Sequence, residues 1–553
     1  MGFAHARRGL SERGTALLPK AIKKYGLDAV LLLGCALYAV SLVWLNFHGS
    51  QWFNFDMYSD QYVAKLMAES KTLFPPNWIF GNQYYVVATP ALAALLLPLC
   101  ANSYQAMALA SSLMLLLILA AFLWCCKPFF SPRALLTGLF CLSGAVILGE
   151  SASSYMRGFQ LFYTMASYYA CYVFGLLFHF GIYFRLRSDK RVSPLLWVAA
   201  IALCLAFGLQ SPRETLLLNI PLLLMELWNS LRSGWRRSSA AFVLLCFAAN
   251  LAGLAAIRFL PVRSSPIIGP VALDLSPAAL LVNLADSSQA WLQMSGLPYL
   301  HSGWKWKPIG LMALFFWAVV LFALGRIAMK RDRSAPAQMT LLCLLSVLCV
   351  YGVGIFLFRT RDIYYFVWVL LVVFSFSYLF HTLDRPALRR LLLMALLACG
   401  LCSYVFNFYP DLRKYPEQRR FYMQLAQELA EEDVRSLYVD FLTPPTLAAC
   451  SDDRMDSATF QYAFDDEGEG LLQMTPHLRP ADLLASIDPA HSLVVLSDSP
   501  YNAYSSQEYV EAFAPSDYAE ALLQALQLVR VEEGPNITLY FYRFTDPAIL
   551  FDS

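Results

Sequence analysis

The chain is short of charge. Asp, Glu, Lys and Arg make up 14% of its 553 residues, against roughly a quarter in an ordinary soluble domain. Hydrophobic residues reach 58% and the mean hydropathy is +0.51, which excludes both a soluble enzyme and a disordered chain. Net charge is also lacking, with 41 basic against 39 acidic residues. Nucleic acid is therefore not an expected partner, because phosphate-backbone binding needs a dense basic face. A disulfide framework is missing as well: twelve of the 13 cysteines lie within or beside apolar runs and only Cys450 lies in the polar last quarter. Cys399-Gly-Leu-Cys402 sits inside an apolar run with no second ligand pair, so it reads as two small hydrophobes. There is no internal repeat, coiled coil or low-complexity segment. No small-residue cleavage site follows the first apolar run, which is preceded by Arg7, Arg8, Arg13, Lys20, Lys23 and Lys24. A retained first helix with a cytoplasmic N-terminus is expected.

What is present is a succession of runs long enough to cross a bilayer: 29–47, 106–124, 134–149, 159–184, 194–209, 215–228, 240–260, 309–324, 339–358, 363–380 and 391–408, about eleven spans. A further run, 84–100, is short and broken by Pro90 and Pro98. If it spanned, every later loop would change sides. The basic loops at 185–191, 232–237, 330–333 and 385–390 would then face outward, against the positive-inside rule. A re-entrant reading keeps them in the cytoplasm with Lys127 and Arg133, and leaves Arg157, Arg213, Arg359 and Arg361 on the other side. The expected fold is therefore a polytopic α-helical membrane protein with a re-entrant outer segment. Residues 1–408 form the membrane domain, with long outer loops at 48–105 and 261–308. Residues 409–553 form a small extracytoplasmic α/β or α+β domain.

Within that tail, 417–431 has helical periodicity, 436–441, 492–496 and 537–544 read as strands, and 507–528 reads as a helix before the last strand. The acidic run Asp465-Asp466-Glu467-Gly468-Glu469 reads as a solvated loop.

Chemistry-bearing residues gather at the outer connections. After the first span, Asn54-Phe55-Asp56-Met57-Tyr58-Ser59-Asp60-Gln61-Tyr62 places Asp56 and Asp60 four apart, on one face if the segment is helical. Two carboxylates so placed need a cation, a proton or a hydroxylated ligand, and one with raised proton affinity could act as a general base. An exposed amphipathic helix fits the same residues. Arg213-Glu214 and Arg359-Thr360-Arg361-Asp362-Ile363-Tyr364-Tyr365 set arginine beside an acid at the outer ends of later spans, as do Glu150 and Arg157 across one connection. Arginine suits two-pronged contact with phosphate, but it also anchors to headgroups. Trp304-Lys305-Trp306-Lys307 in the second long loop suits either a sugar ring with a phosphate or an interfacial anchor. No cofactor or resident metal is expected, and the Asp56/Asp60 pair is the place where a divalent cation could be held.

This arrangement resembles the type C glycosyltransferase superfamily of integral-membrane enzymes. The resemblance is carried by Asp56 and Asp60 with Tyr62, by Phe74-Pro75-Pro76-Asn77-Trp78 before the dipping run 84–100, and by Arg361 with Tyr364 and Tyr365. It implies transfer of a sugar from a polyprenyl-phosphate or diphosphate carrier to a lipid or glycan acceptor on the outer face of the cytoplasmic membrane, by metal-independent inverting displacement. By the same resemblance Asp56 or Asp60 serves as base and Arg361, with Arg359 and Arg213, holds the donor phosphate. Tyr62, Glu150, Arg157, Glu214, Tyr364, Trp304 and Lys305 are then candidates for the acceptor or sugar. Here the acids are four apart rather than adjacent, and the late tyrosines lack a following proline. Two other classes fit the composition: a transporter or flippase for a lipid-linked or anionic glycan, and a non-catalytic assembly subunit.

Overall fold

A computed structural model describes residues 3–49, 55–81, 83–151, 156–164, 169–264, 275–356, 361–440, 446–464, 470–475, 478–482, 487–498, 524–535, 537–546 and 550–551. The helices of the membrane domain are α1 (Phe3–His48), α2 (Phe55–Ser70), α3 (Thr89–Leu96), α4 (Ser103–Cys126), α5 (Pro132–Phe140), α6 (Gly158–Tyr163), α7 (Ala170–Arg187), α8 (Pro194–Gln210), α9 (Ile220–Ser233), α10 (Arg237–Ala256), α11 (Pro277–Ser295), α12 (Lys307–Lys330), α13 (Ala335–Phe356), α14 (Val367–Thr382) and α15 (Pro386–Ser403). Two more, α16 (Tyr409–Glu431) and α17 (Thr446–Ala449), belong to the tail.

Each expected span contains a helix, but among the described residues seven runs are long and apolar enough to cross a membrane by themselves: Gly26–His48, Ser103–Cys126, Arg237–Phe259, Trp304–Lys330, Ala335–Phe356, Asp362–Thr382 and Pro386–Glu431. The number is below eleven because several apolar runs are interrupted. The run 159–184 divides into α6 and α7, and π-turns at Cys141–Ala145 and Thr215–Asn219 break the lines of α5 and α9. Gly144 in the first of these turns has φ 145, and a Cβ there would lie 2.7 Å from the Tyr38 ring, so neither the backbone nor the packing tolerates a side chain.

Helix α14 is the axis of the bundle. Every residue from Val367 to Phe380 is buried, consistent with a helix that is apolar on all sides. The outer helices instead show leucine and valine to their surroundings, as Leu33 and Val40 do on α1 and Leu195 on α8.

The dipping run folds as α3 followed by a 3₁₀ turn, Leu97–Leu99. Together they rise about 18 Å, well short of the ~30 Å hydrocarbon core. Gln210 at the end of α8 holds the entry to this segment. Its carbonyl accepts from Tyr84 N and its Oε1 from Val87 N, both at 2.9 Å. The second long loop, 261–308, contains α11. Ser276 Oγ caps it by accepting from Ala279 N at 3.3 Å, and Gly296 closes it in the left-handed region with φ 84. Its mixed sequence, PAALLVNLADSSQAWLQMS, gave no clean apolar run to mark it.

The strands, in chain order, are β1 (Trp78–Phe80), β2 (Glu150–Ser151), β3 (Met156–Arg157), β4 (Arg263–Ser264), β5 (Ser436–Asp440), β6 (Asp456–Phe464), β7 (Gly470–Met474), β8 (Arg479–Pro480), β9 (Ser492–Asp498), β10 (Leu526–Gly534), β11 (Ile537–Phe544) and β12 (Leu550–Phe551). Seven of them form the tail sheet in the order β10-β11-β9-β5-β6-β7-β12, with β5 parallel to both β6 and β9. Helix α16 covers it with buried Leu425, Ala426 and Leu429. The expected helix at 507–528 is corrected at its C-terminal end. Residues 526–528 begin β10, which pairs antiparallel with β11, where long-range pairing overrides local helical periodicity. Residues 507–523 and the acidic run 465–469 lie outside the described residues.

A second sheet, β4-β1-β8, joins both long outer loops to the tail. Around it the tail grips α2 and the start of α4. Tyr58 OH accepts from Ser457 N at 2.9 Å, Ser59 Oγ donates to the Leu478 carbonyl at 3.2 Å, and Lys65 pairs with Asp456 at 3.6 Å. Asp453 accepts from Ser103 N at 2.8 Å and from the Ser103 hydroxyl, while Asn102 donates to Asp452 at 2.5 Å.

Two outcomes follow from this packing. A Cβ at Gly253 would collide with the Leu205 carbonyl of α8, whereas one at Gly325 meets nothing. Gly253→Ala should lower stability by about 1–3 kcal/mol, and Gly325→Ala should be neutral or slightly stabilising, read as thermal midpoints in detergent. Tyr58→Phe leaves the buried Ser457 N–H without its acceptor and should cost about 1–3 kcal/mol. Limited proteolysis should show that loss as earlier cleavage between α2 and the tail.

Candidate functional site

Helix α2 begins just after the first span, and Asp56 lies in its first turn. A carboxylate there is favoured by the unpaired N–H groups of the helix start. The side chain is half-buried. Burial pushes its pKa above the ordinary carboxylate value, and the positive charges of Arg361 and Arg213 act in the opposite direction. The two arginines come from chain segments far apart from α2 and from each other. Their convergence on Asp56 is a product of the fold.

Arg213 follows α8 and is half-buried. Its guanidinium donates to Gln83 Oε1 and lies 5.5 Å from the Tyr364 ring centroid and 5.8 Å from that of Tyr169. Both separations are within cation–π range. Arg361 is exposed and immediately precedes the 3₁₀ turn Asp362–Phe366, and its carbonyl accepts from Tyr364 N at 3.1 Å. That turn is seated on aromatic rings. Trp291 of α11 stacks parallel to Tyr365 at 6.2 Å, and also packs at 5.1 Å against Trp317 and 5.8 Å against Trp368. The buried rings fix the turn, and the turn presents Arg361 outward.

Asp60 is placed differently. It is 1% exposed, one turn further along α2, in the wall between this helix and its neighbours. Tyr62 faces the tail, with its ring 5.8 Å from both Tyr58 and Trp78 and Lys65 Nζ 5.6 Å from its centroid. Glu214 was expected at the outer surface beside Arg213, but it is fully buried and turned into the bundle. A Cβ at Gly175 would lie 3.2 Å from its Oε1. Trp304 is 84% exposed, and Lys305 lies 5.8 Å from the Trp306 ring, so both belong to an interfacial patch around a 3₁₀ turn rather than to the Asp56 group. Glu150 and Arg157 are cross-strand partners in the short β2-β3 ladder, and their side chains are outside those described. Arg359 lies outside the described residues.

Gln83 and Tyr169 were not anticipated. No local signal marks them, since Gln83 lies 130 positions from the arginine it serves. An apolar cavity of about 790 Å³ is lined by Met67, Leu73, Val86, Leu92, Leu95, Met114, Leu117, Phe174, Leu203 and Phe207, with Lys71 its one charged lining residue. It runs between the dipping segment and α2, α4, α7 and α8. Chemically, the site combines a proton acceptor of raised basicity with two arginines able to hold an oxyanion, and the fold adds an apolar chamber of a size typical for ligands.

No family model and no curated protein sequence matches the chain. Solved structures do. ArnT from Cupriavidus metallidurans in the apo state superposes with a TM-score of 0.51 at 11% identity, covering 94% of this chain and 100% of that one. The same protein bound to undecaprenyl phosphate gives 0.48 at 12% identity, covering 92% and 97%. What this chain shares with ArnT is its fold over nearly the whole length; the region at its C-terminus contains the seven-stranded sheet.

Proposed function

We propose that this chain is an integral-membrane glycosyltransferase that moves a sugar from a polyprenyl-phosphate or diphosphate carrier to a lipid or glycan acceptor on the outer face of the cytoplasmic membrane. The observation that carries the reading is Asp56 lying in the field of Arg361 and Arg213, in a chain that also holds an apolar cavity at the other end of α2. The carrier's isoprenoid occupies that cavity, which leaves its phosphate and the anomeric carbon at the arginines. Asp56 takes the proton of an acceptor hydroxyl, whose oxygen attacks the anomeric carbon as the bond from that carbon to the phosphate oxygen breaks. The carrier leaves as its phosphate, and the configuration inverts. Arg361 and Arg213 stabilise the charge that grows on the leaving oxygen, the kind of fixed electrostatic assistance that needs no metal. Tyr364 and Tyr169 keep Arg213 in place.

This reading sets the N-terminus in the cytoplasm and residues 409–553 outside, because α3 dips without crossing and the basic loops then share one side. An engineered thiol at Ser553 should react with an impermeant reagent on intact cells once the outer barrier is opened. Labelling only after the cytoplasmic membrane is breached would overturn the topology and the location of the site.

The direct test is purified protein with a panel of polyprenyl-phosphate sugars, read as loss of sugar mass from the lipid. Asp56→Asn should fold normally and lower turnover by roughly two to four orders of magnitude, the usual scale for a lost general base, with a smaller loss for Asp60→Asn. Full activity in both variants would exclude this helix from the chemistry. Arg361→Ala should weaken donor binding roughly tenfold more than Arg361→Lys, since lysine keeps the charge but not the fork.

The acid side of the rate profile should follow Asp56. Its pKa lies above the ordinary value of 3.8 through burial, and the two arginines restrain the rise. Removing a cation raises it further, so Arg361→Ala or Arg213→Ala should move the acid limb of kcat/KM to higher pH and leave less activity at a fixed acidic pH. An unmoved limb would separate Asp56 from the titrating step.

A further inference from the structure

A second cluster of chemistry-bearing side chains lies deep in the bundle, away from the Asp56 group. His179 of α7, Cys204 of α8 and Cys246 of α10 are each 0% exposed. One ligand atom from each lies within 4.8 Å of the others, and His179 Nε2 is 3.1 Å from Cys204 Sγ. Helix packing makes the approach possible. A Cβ on Gly208 would strike the Asn250 carbonyl and one on Gly253 the Leu205 carbonyl, so α8 and α10 touch backbone to backbone, one to two turns beyond the two cysteines. Asn250 ties the same helices together. Its Nδ2 donates to the Cys204 carbonyl at 3.2 Å and its Oδ1 accepts from Thr215 Oγ1 at 2.5 Å.

We propose that His179, Cys204 and Cys246 bind one zinc ion. The donor set is that of a thiophilic divalent cation, two sulfurs and one imidazole nitrogen. Nδ1 of the imidazole lies 2.7 Å from the Gly175 carbonyl, and Nε2 lies 3.1 Å from both the Ala200 carbonyl and Cys204 Sγ. With Nδ1–H held by Gly175, a backbone carbonyl orients the ring as in ligating histidines, and metal binding at Nε2 replaces its contact with Ala200.

Charge selects the metal. Zn²⁺ with two thiolates and a neutral imidazole is neutral overall, whereas Cu⁺ with the same ligands leaves a negative centre near Glu214, which is 0% exposed and has no hydrogen-bond partner for either carboxylate oxygen among the described residues. The ion would lock α7, α8 and α10 together, and these helices carry Tyr172, Gln210 and the turn bearing Arg213. Its role is therefore structural, separate from the transfer chemistry.

The test is metal analysis of the full chain, purified in detergent from zinc-replete cells without a histidine tag. About one zinc per chain is expected, held by three protein ligands with a fourth position open. It should be retained in the Cys399→Ser/Cys402→Ser control and lost in Cys204→Ser/Cys246→Ser. Exchange of Co²⁺ into the unsubstituted protein should give thiolate-to-cobalt charge-transfer absorption, a readout that does not depend on whether the double variant folds. Zinc-free wild-type protein, zinc retained by the double variant, copper in place of zinc, or a Cys204–Cys246 disulfide by mass spectrometry would each overturn the proposal.

Discussion

A carboxylate removed from water must be neutralised or matched by positive charge, and the residues around Asp56 are arranged to meet that requirement. Its two counter-charges, Arg361 and Arg213, each need their own support. Arg213 is fixed by Gln83 and by the rings of Tyr364 and Tyr169. Arg361 is carried by a turn seated on the Trp291, Trp317 and Trp368 cluster. Moving any of these supports changes the field at the carboxylate, because in a half-buried site charge–charge terms are only partly screened.

The tail domain takes part in the same arrangement although it contributes none of these charges. Helix α2 is short, and its opening turn holds the acid, so its orientation has to be set from outside. Tyr58, Ser59 and Lys65 are held by Ser457, Leu478 and Asp456 of the tail, and the β4-β1-β8 sheet stitches the long outer loops to it. The C-terminal region therefore acts as a clamp on α2. This explains how the acid keeps one position.

Inside the membrane domain, two packing regimes coexist. Around α14, large side chains close completely, whereas beside α3 they leave an open apolar chamber. The difference lies in α3 itself: a helix too short to cross leaves part of the outer half of its column unfilled, and the flanking faces of α4, α7 and α8 line the gap.

Composition and hydropathy alone determined the broad class. They placed the helices, marked 84–100 as too short and too proline-broken to span, and read strands at 436–441, 492–496 and 537–544, where β5, β9 and β11 form, because burial in lipid and strand alternation are local, periodic constraints. Charge beside a long apolar run marked Asp56, Arg213 and Arg361, and the family resemblance added Tyr364. They could not separate Asp56 from Asp60, which share a helix face in any local reading. Nor could they turn Glu214 inward, seat α11 beneath Arg361, or match Gln83 to Arg213. Those depend on which distant helices touch. Only the tertiary structure decided them, because electrostatic pairing and close packing act through space between segments that the chain order keeps far apart.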